Sequence, residues 1–272
     1  MATAAALRIQ IEDALATRFP AALTPVSRTI CEVAATGIPA AAALLDGGLP
    51  VGAISELVGP ECSGRTSLAL AFLAGRTAAG QICAWIDVAD AFDPESAAAS
   101  CVRLRQLLWV RCRDAATKAP ATRWKTEEKP WTRLDQALRV TDLLLQAGGF
   151  AAMVLDLGGM NPVHGMRIPL ASWFRFRQAA DRSRCSLVVL GQASFAQSSA
   201  AVVLDCAPLR TQSQGGTVLA ASSFEFSRRR QRFTPQMTVA RLPPASTWTA
   251  QAVWTAQAAW AAWAAWSAER SA

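Results

Sequence analysis

The sequence lacks the patterns that mark secreted, disulfide-bonded, zinc-binding or membrane-spanning proteins. We expect no secretory signal peptide, since Arg8, Glu12 and Asp13 lie in the first turns and nothing after them resembles a cleavage site. The seven cysteines include no C-x-x-C pair, which argues against a disulfide framework and a zinc site. Apart from an alanine- and tryptophan-rich tail, no uncharged apolar run has membrane-spanning character. We therefore expect a cytoplasmic protein with reduced thiols, no metal site and no membrane contact.

Histidine is also scarce, because His164 is the only one in the chain. A single histidine in a loop is more often a surface or packing residue than a catalyst, so we assign it no catalytic role. The chain has 272 residues, of which 52% are apolar, and this suits one ordinary α/β domain with extensions or two small domains. The net charge of +7 leaves an anionic partner open, with nucleic acid first among the classes.

One glycine-bearing stretch organises the rest of the chain. It has the form G-x-x-x-x-G-R-T, one residue away from the P-loop pattern G-x-x-x-x-G-K-[ST]. In a P-loop, backbone N–H groups cradle phosphate oxygens at a helix N-terminus, and Thr66 would offer its hydroxyl to Mg²⁺. A strand-like run over 53–58 precedes the stretch and a helix-forming run over 68–76 follows it, which is the context that the motif requires. The candidate nucleotide-binding residues are Gly59, Pro60, Glu61, Cys62, Ser63, Gly64, Arg65, Thr66 and Ser67.

Apolar runs alternate with helical segments beyond this motif. Further strands are predicted over 81–87, 107–112, 151–156, 187–190 and 201–206, and helices over 95–104, 134–145 and 170–182. The alternation predicts an α/β fold with a mostly parallel central sheet flanked by helices. Polar residues over 114–131 predict a surface loop. Two runs over 218–226 and 237–242 predict a closing β-hairpin, with four arginines at its turn, namely Arg228, Arg229, Arg230 and Arg232.

Polar side chains follow several of the predicted strands. Asp156 ends a continuous apolar run, which is the form of a Walker B strand whose Asp orders Mg²⁺. Asp87 and Gln192 also follow strands. Because ligand sites in parallel sheets lie at the carboxyl ends of the strands, these residues should converge with the P-loop.

Composition divides the chain into three parts. Residues 1–36 form an N-terminal arm and linker, with a helix predicted over 4–17, and residues 37–242 form the core. Residues 243–272 are a low-complexity tail for which alanine content predicts a helix. Its tryptophans are candidates for contact with a partner or with the domain, although the tail is equally compatible with an unselected extension. These tryptophans are Trp260, Trp263 and Trp266.

Two stretches of the core resemble the RecA recombinase core. The first runs over 47–68 and includes the P-loop, and the second runs over 83–94, in order and at the right distance. The resemblance covers 37–192 and extends more loosely to 241. The runs over 107–112 and 143–150 are more similar to ImuA, a RecA-like member of bacterial damage-induced mutagenesis cassettes.

This resemblance implies a role, ligands and partners. The role is an accessory one in translesion synthesis within the SOS response to DNA damage, in the nucleoid. The partners are an ImuB-like Y-family protein and an error-prone polymerase, with RecA, single-stranded DNA and self-association as further candidates. ATP and Mg²⁺ are the implied ligands, and Gln192 matches a glutamine that senses the γ-phosphate and leads into a DNA-binding loop.

The chain departs from the RecA pattern at chemically important positions. Arg65 replaces the P-loop lysine, and its forked guanidinium is not equivalent to an ammonium at a phosphate cradle. Ala89 stands where RecA has the glutamate that activates water, and the neighbouring Asp90 should point elsewhere. The loop over 193–200 is short and lacks basic residues, which argues against strand exchange. Losing the glutamate that activates water lowers the rate of hydrolysis by roughly 10²–10⁴-fold.

Three hypotheses follow. The first is a protein that acts through contacts in a DNA-damage polymerase complex, with a degenerate nucleotide site and negligible hydrolysis. The second is an active DNA-dependent ATPase, in which Arg65 and Asp156 serve phosphate and Mg²⁺ and the four arginines meet the DNA backbone. The third is a SulA-like inhibitor of cell division, since that family also resembles a shortened RecA core. The length of the chain and its partner-type segments favour the first.

Overall fold

The computed structural model describes residues 29–113, 132–214, 218–235 and 247–251. Several predictions therefore lie outside the described residues. These are the helix over 4–17, the loop over 114–131, the hairpin segment over 237–242, and Trp260, Trp263 and Trp266.

The described residues form strands and helices in alternation. The strands are β1 (Thr29–Cys31), β2 (Val33–Ala34), β3 (Leu49–Pro50), β4 (Ile54–Val58), β5 (Cys83–Asp87), β6 (Leu107–Arg111), β7 (Ala152–Asp156), β8 (Ser186–Gly191), β9 (Ala200–Gln214), β10 (Val218–Gln231), β11 (Phe233–Pro235) and β12 (Thr247–Gln251). The helices are α1 (Pro39–Leu44), α2 (Arg65–Ala78), α3 (Pro94–Ala99), α4 (Thr132–Ala147), α5 (Pro162–Gly165) and α6 (Leu170–Ser183), with 3₁₀ turns at Leu104–Gln106 and Gln197–Ser199.

Eight of these strands form the central sheet, in the order β12-β10-β9-β4-β8-β7-β5-β6. The pairs from β9 through β4, β8, β7 and β5 to β6 are parallel. Only β10 and β12 run antiparallel to their neighbours in this sheet. The prediction of a mostly parallel central sheet is confirmed.

Burial explains why the central strands read as continuous apolar runs. Every residue of β4, β5 and β8 is buried, as expected for strands covered on both faces. On one face, Leu68, Phe72 and Leu73 of α2 pack into the core. On the other face, the core contains Leu134 of α4 and Trp173 of α6. The helices therefore flank the sheet on both sides.

The hairpin differs from its predicted form. It joins β9 to β10, and β10 continues to Gln231, so Arg228, Arg229 and Arg230 lie within a strand. Placing these three arginines at a turn was wrong, and Arg232 lies between β10 and β11. The reason is that the alternation in which Phe224 is buried and Glu225 exposed continues the strand toward the arginines.

The segments that flank the predicted core also contribute strands. β1 pairs in parallel with β11, and β2 pairs with β3. In the tail, the predicted helix is wrong over Thr247–Gln251, because these residues form β12 along the edge of β10. An open strand edge offers unpaired backbone groups, and threonine and tryptophan suit a strand. Within the described ranges, every helix is too short or too polar to cross a lipid bilayer.

Candidate functional site

The parallel strands bring the predicted site residues to one edge of the sheet. Asp87 and Asp156 are direct partners in the register of β5 and β7. Val58, which precedes the P-loop, pairs with Gly191, which precedes Gln192. The N–H of Gly59 donates to the carbonyl of Gly191 at 3.0 Å. The convergence predicted from the strand ends is therefore present.

The P-loop has the backbone shape that its glycines predict. Gly64 caps the N-terminus of α2 with φ +83°, in the left-handed region that glycine adopts without strain. A Cβ at Gly59 would lie 2.2 Å from the carbonyl oxygen of Cys206, so only glycine fits there. A Cβ at Gly64 would lie 2.4 Å from Cγ of Phe224, so the ring of this β10 residue packs directly on the loop.

Arg65 does not extend into solvent from this loop. Its side chain is buried, with 7% of the residue exposed. Nη1 donates to the carbonyl of Gly59, at the start of the same loop. Nη2 donates to the carbonyl of Gly158, beyond the end of β7, at 3.1 Å. Two donors that could bind a phosphate therefore bind backbone oxygens of the protein itself.

Hydrogen bonds to Gly158 connect the segments at the ends of β4, β7 and β8. The carbonyl of Gly158 also accepts a hydrogen bond from Nε2 of Gln192 at 3.1 Å. Its N–H donates to Oδ1 of Asp156 at 2.8 Å. Burial raises the pKa of the Asp156 carboxyl and nearby Asp87 raises it further, while the Gly158 N–H and Arg65 act in the opposite direction. Arg65, Gln192 and Asp156 thus form one hydrogen-bonded group centred on Gly158.

The segment after β5 contains no carboxylate in the position of a catalytic base. Ala89 packs closely against Gly159, because a Cβ added at Gly159 would lie 2.7 Å from the Cβ of Ala89. Asp90, at φ +58°, binds Arg111 through two hydrogen bonds of 2.6 and 2.8 Å. This hydrogen bonding with Arg111 lowers the pKa of Asp90. Asp90 is therefore held by Arg111 of β6, the strand at the sheet edge.

Asp87 has a structural set of partners. It is fully buried and accepts from the N–H groups of Ala91 and Phe92 at 3.1 and 2.8 Å. Nε1 of Trp109 donates to it at 3.3 Å. These bonds hold the turn that follows β5.

The four arginines proposed to contact DNA bind acceptors within the protein. Arg228 pairs with Asp46 at 3.0 Å, and Arg229 forms a bidentate pair with Asp205. Arg230 donates to the carbonyl of Gln197, and Arg232 donates to that of Ser198 at 3.0 Å. These contacts connect β10 to its neighbours and to the loop that follows β8.

Glu56 is a buried residue near the site that pattern matching to the P-loop missed. It lies in the middle of β4 and is 1% exposed. Its carboxylate accepts from Oγ of Ser194 at 2.5 Å and from the N–H groups of Phe195 and Ala196 at 2.6 and 2.8 Å. An acid inside the apolar run of residues 54–58 was the available signal. Glu56 fixes the loop after Gln192 to the strand that leads into the P-loop.

The site keeps the backbone shape of a phosphate cradle, while Arg65, Gln192 and Asp156 bind groups of the protein itself. The Ser63 hydroxyl is buried and has no hydrogen-bond partner among the described residues, and Thr66 is exposed at the start of α2. The described residues contain no group of three or more His, Cys, Asp or Glu side chains that could hold a metal ion. With Arg65 bound internally and no base near Ala89, these residues do not fit a hydrolysing Mg²⁺–nucleotide site. His164 lies in α5, outside the group centred on Gly158.

Sequence comparison relates this core to known proteins. Residues 10–119 match the family model described as the RecA N-terminal domain. Protein RecA of Agrobacterium fabrum is 36% identical over 160 residues, which cover 54% of this chain and 39% of that protein. Protein RecA of Allorhizobium ampelinum is 30% identical over 160 residues with the same coverage. The matched region thus spans about two fifths of the length of these relatives.

Structural comparison extends the likeness in fold. The crystal structure of the RadB recombinase superposes with a TM-score of 0.51, covering 80% of this chain and 94% of that one. The sequence identity in this superposition is 15%, so the likeness concerns the fold alone.

Proposed function

Because this chain has a RecA-like recombinase core, we propose that it is an accessory protein of bacterial translesion synthesis that acts through protein contacts, without ATP hydrolysis. An ImuB-like Y-family protein and an error-prone polymerase are its proposed partners. The chain spans only part of its RecA relatives, and its site departs from theirs in chemistry. The proposed role therefore depends on contacts between the surface of this chain and its partner proteins.

The observation that carries the proposal is the position of the Arg65 guanidinium. A P-loop cation acts on phosphate when it is free to point at the nucleotide. Here Arg65 is buried against the carbonyls of Gly59 and Gly158. Releasing it would take this donor from the buried Gly59 carbonyl and leave the Gly158 carbonyl with Gln192 alone. A buried acceptor that loses its partner costs about 1–3 kcal/mol. Nucleotide binding would have to supply this energy before gaining any contact from Arg65.

The neighbouring residues support the same conclusion. Gln192, which matches the γ-phosphate sensor, also binds the Gly158 carbonyl. The loop that follows it is fixed by Glu56, Arg230 and Arg232. A loop with this many internal hydrogen bonds is ordered without nucleotide or DNA. Such a fixed loop suits a protein that presents one surface at all times.

The translesion assignment draws its support from sequence. The runs over 107–112 and 143–150, which resemble ImuA, form β6 with the residue after it and the end of α4 with the turn that follows. These elements lie in the half of the sheet away from the hairpin.

An active DNA-dependent ATPase is the second candidate. It is favoured by the meeting of Asp156, Gln192 and the P-loop at one edge. It requires Arg65 to rotate away from both carbonyls, and it requires a base that Ala89 and Asp90 do not provide. Nothing in the described geometry favours the division-inhibitor hypothesis over these two.

Binding to the ImuB-like protein, measured with and without Mg²⁺–ATP, tests the proposal. We expect the same affinity in both conditions and background phosphate release with single-stranded DNA. Arg65→Lys is the matched variant, because it restores the P-loop consensus without supplying a base, and it should leave release at background. Association that requires ATP, or phosphate release stimulated by DNA, would contradict the proposal.

A further inference from the structure

Exposed apolar side chains are concentrated in one short segment. Eight large hydrophobic residues of the described chain are exposed, and four of them fall between residues 163 and 174. These four are Val163, Met166, Leu170 and Phe174, with exposures of 56, 58, 53 and 47%. Scattered exposed hydrophobics need no explanation, but a concentration of this kind marks an interaction surface.

The arrangement of α6 places part of this segment on one outward face. Trp173 and Phe176 point into the core and are fully buried. Leu170 and Phe174 are exposed and lie four residues apart, a spacing at which helical side chains are neighbours. The guanidinium of Arg177 lies over the ring of Phe174, 5.0 Å from its centroid. We call Leu170, Phe174 and Arg177 the α6 face, and Arg175 lies beside it, since each residue of a helix is turned by about 100° from the one before it.

The charge of this segment has one sign. No Asp or Glu occurs between Asp156 and Asp181, whereas Arg167, Arg175 and Arg177 all fall within that interval. Arg175 forms no ion pair with a described residue, unlike Arg228 and Arg229 in β10. The whole of α6 carries three arginines against one acid, Asp181, which lies one turn from Arg177. The α6 face therefore combines uncovered apolar side chains with a net positive charge on its helix.

We propose that the α6 face is the docking surface for an acidic segment of a partner protein that presents apolar side chains. This inference rests on the proposed function, because it names the kind of partner that a contact-based role requires. Leu170 and Phe174 would be covered by the partner's apolar side chains, while Arg175 and Arg177 would meet its carboxylates. An aromatic residue beside arginines is a common composition of interface hot spots. Nucleic acid fits less well, since phosphate contacts would leave Leu170, Met166 and Val163 uncovered.

Fluorescence anisotropy with a defined peptide tests the surface. The probe is an amphipathic helical peptide of about 20 residues with Leu and Phe on one face and Glu on the other. Its control carries Lys in place of every Glu, and an oligothymidylate of similar length represents nucleic acid. We expect the acidic peptide to bind, and the double variant Leu170→Ser/Phe174→Ser to weaken binding by about tenfold or more. Leu143→Ser is the matched control, because it removes another exposed leucine, on α4, and should bind as the wild type does.

The results separate this inference from the proposed function. The proposed role of the α6 face is wrong if the acidic and basic peptides bind equally, or if the double variant binds the acidic peptide as tightly as the wild type does. Preferential binding of oligothymidylate that the double variant abolishes also overturns this role, by assigning the face to nucleic acid. If the ImuB-like protein binds both wild type and the double variant independently of ATP, the α6 face is wrong while the proposed function stands. ATP-dependent association contradicts the proposed function itself.

Discussion

The carboxyl edge of the sheet and the α6 face both carry arginines, but the two sets have different partners. At the edge, Arg65 donates to two carbonyls of the protein itself, and Arg230 and Arg232, near the end of β10, likewise donate to carbonyls of the turn before β9. On α6, Arg175 forms no ion pair among the described residues, and Arg177 lies over the exposed ring of Phe174. Arginines whose donors are used internally stabilise the fold, whereas exposed arginines beside apolar side chains are available for recognition. Substitutions should therefore cost stability at the edge and binding at α6.

The largest loss of stability is expected from Glu56→Ala. The change removes the acceptor for Ser194, Phe195 and Ala196 in a buried position, which leaves their donors unsatisfied. We expect a decrease of about 3 kcal/mol or more in the free energy of unfolding, measured in urea. Ser194→Ala, which removes one of the three donors, should cost much less. A loss below about 1 kcal/mol for Glu56→Ala would show that the loop does not depend on this carboxylate.

Gly64→Ala should have the next largest effect. Alanine would have to adopt φ +83° and its Cβ would meet the ring of Phe224. The left-handed conformation costs roughly 1–2 kcal/mol, and overpacking adds a similar amount. Adding Phe224→Ala should relieve the overpacking but not the backbone strain, so the two changes should be non-additive in urea unfolding. Strict additivity would mean that the ring does not pack on the P-loop.

Asp156→Asn should stabilise the protein at neutral pH. Burial raises the pKa of this carboxyl in the folded state, so the folded state holds the proton more tightly than the unfolded state. As the pH rises from the pKa of Asp156 in the unfolded state to its pKa in the folded state, the ionisation of Asp156 lowers the free energy of unfolding. Above both pKa values this loss of stability stays constant. Asparagine keeps the acceptor for the Gly158 N–H, and we expect a gain of about 1 kcal/mol at neutral pH. The gain should vanish in acid below the ordinary aspartate pKa, and a gain that is independent of pH would contradict this cause.

The smallest effect on stability is expected from Leu170→Ser/Phe174→Ser. Both side chains are about half exposed, and neither belongs to the buried core. Each change should alter the free energy of unfolding by about 0.5 kcal/mol or less, as surface substitutions usually do. Thermal melts of the double variant and of Leu143→Ser should nearly coincide. A large decrease in the stability of the double variant would contradict the contrast between the carboxyl edge of the sheet and helix α6.

The fold could be predicted further than the site because its signals are local. The strand, glycine turn and helix around Gly59 to Ser67 occupy consecutive residues, and the buried strands can be recognised in the sequence as apolar runs. The partner of Arg65 could not be predicted, since Gly158 is 93 positions away and meets it only because β7, β8 and β4 are neighbours. β12 was missed for a related reason, because pairing with β10 outweighs the helical propensity of the surrounding alanines.

The most direct test of the account is the thermal unfolding midpoint of the wild-type protein with and without millimolar Mg²⁺–ATP. A ligand that binds the folded state must raise this midpoint, by an amount set by its concentration and affinity. With Arg65 bound to the carbonyls of Gly59 and Gly158, we predict no measurable shift. A shift of several degrees that Arg65→Ala abolishes would contradict the account, because it would show the guanidinium acting on phosphate.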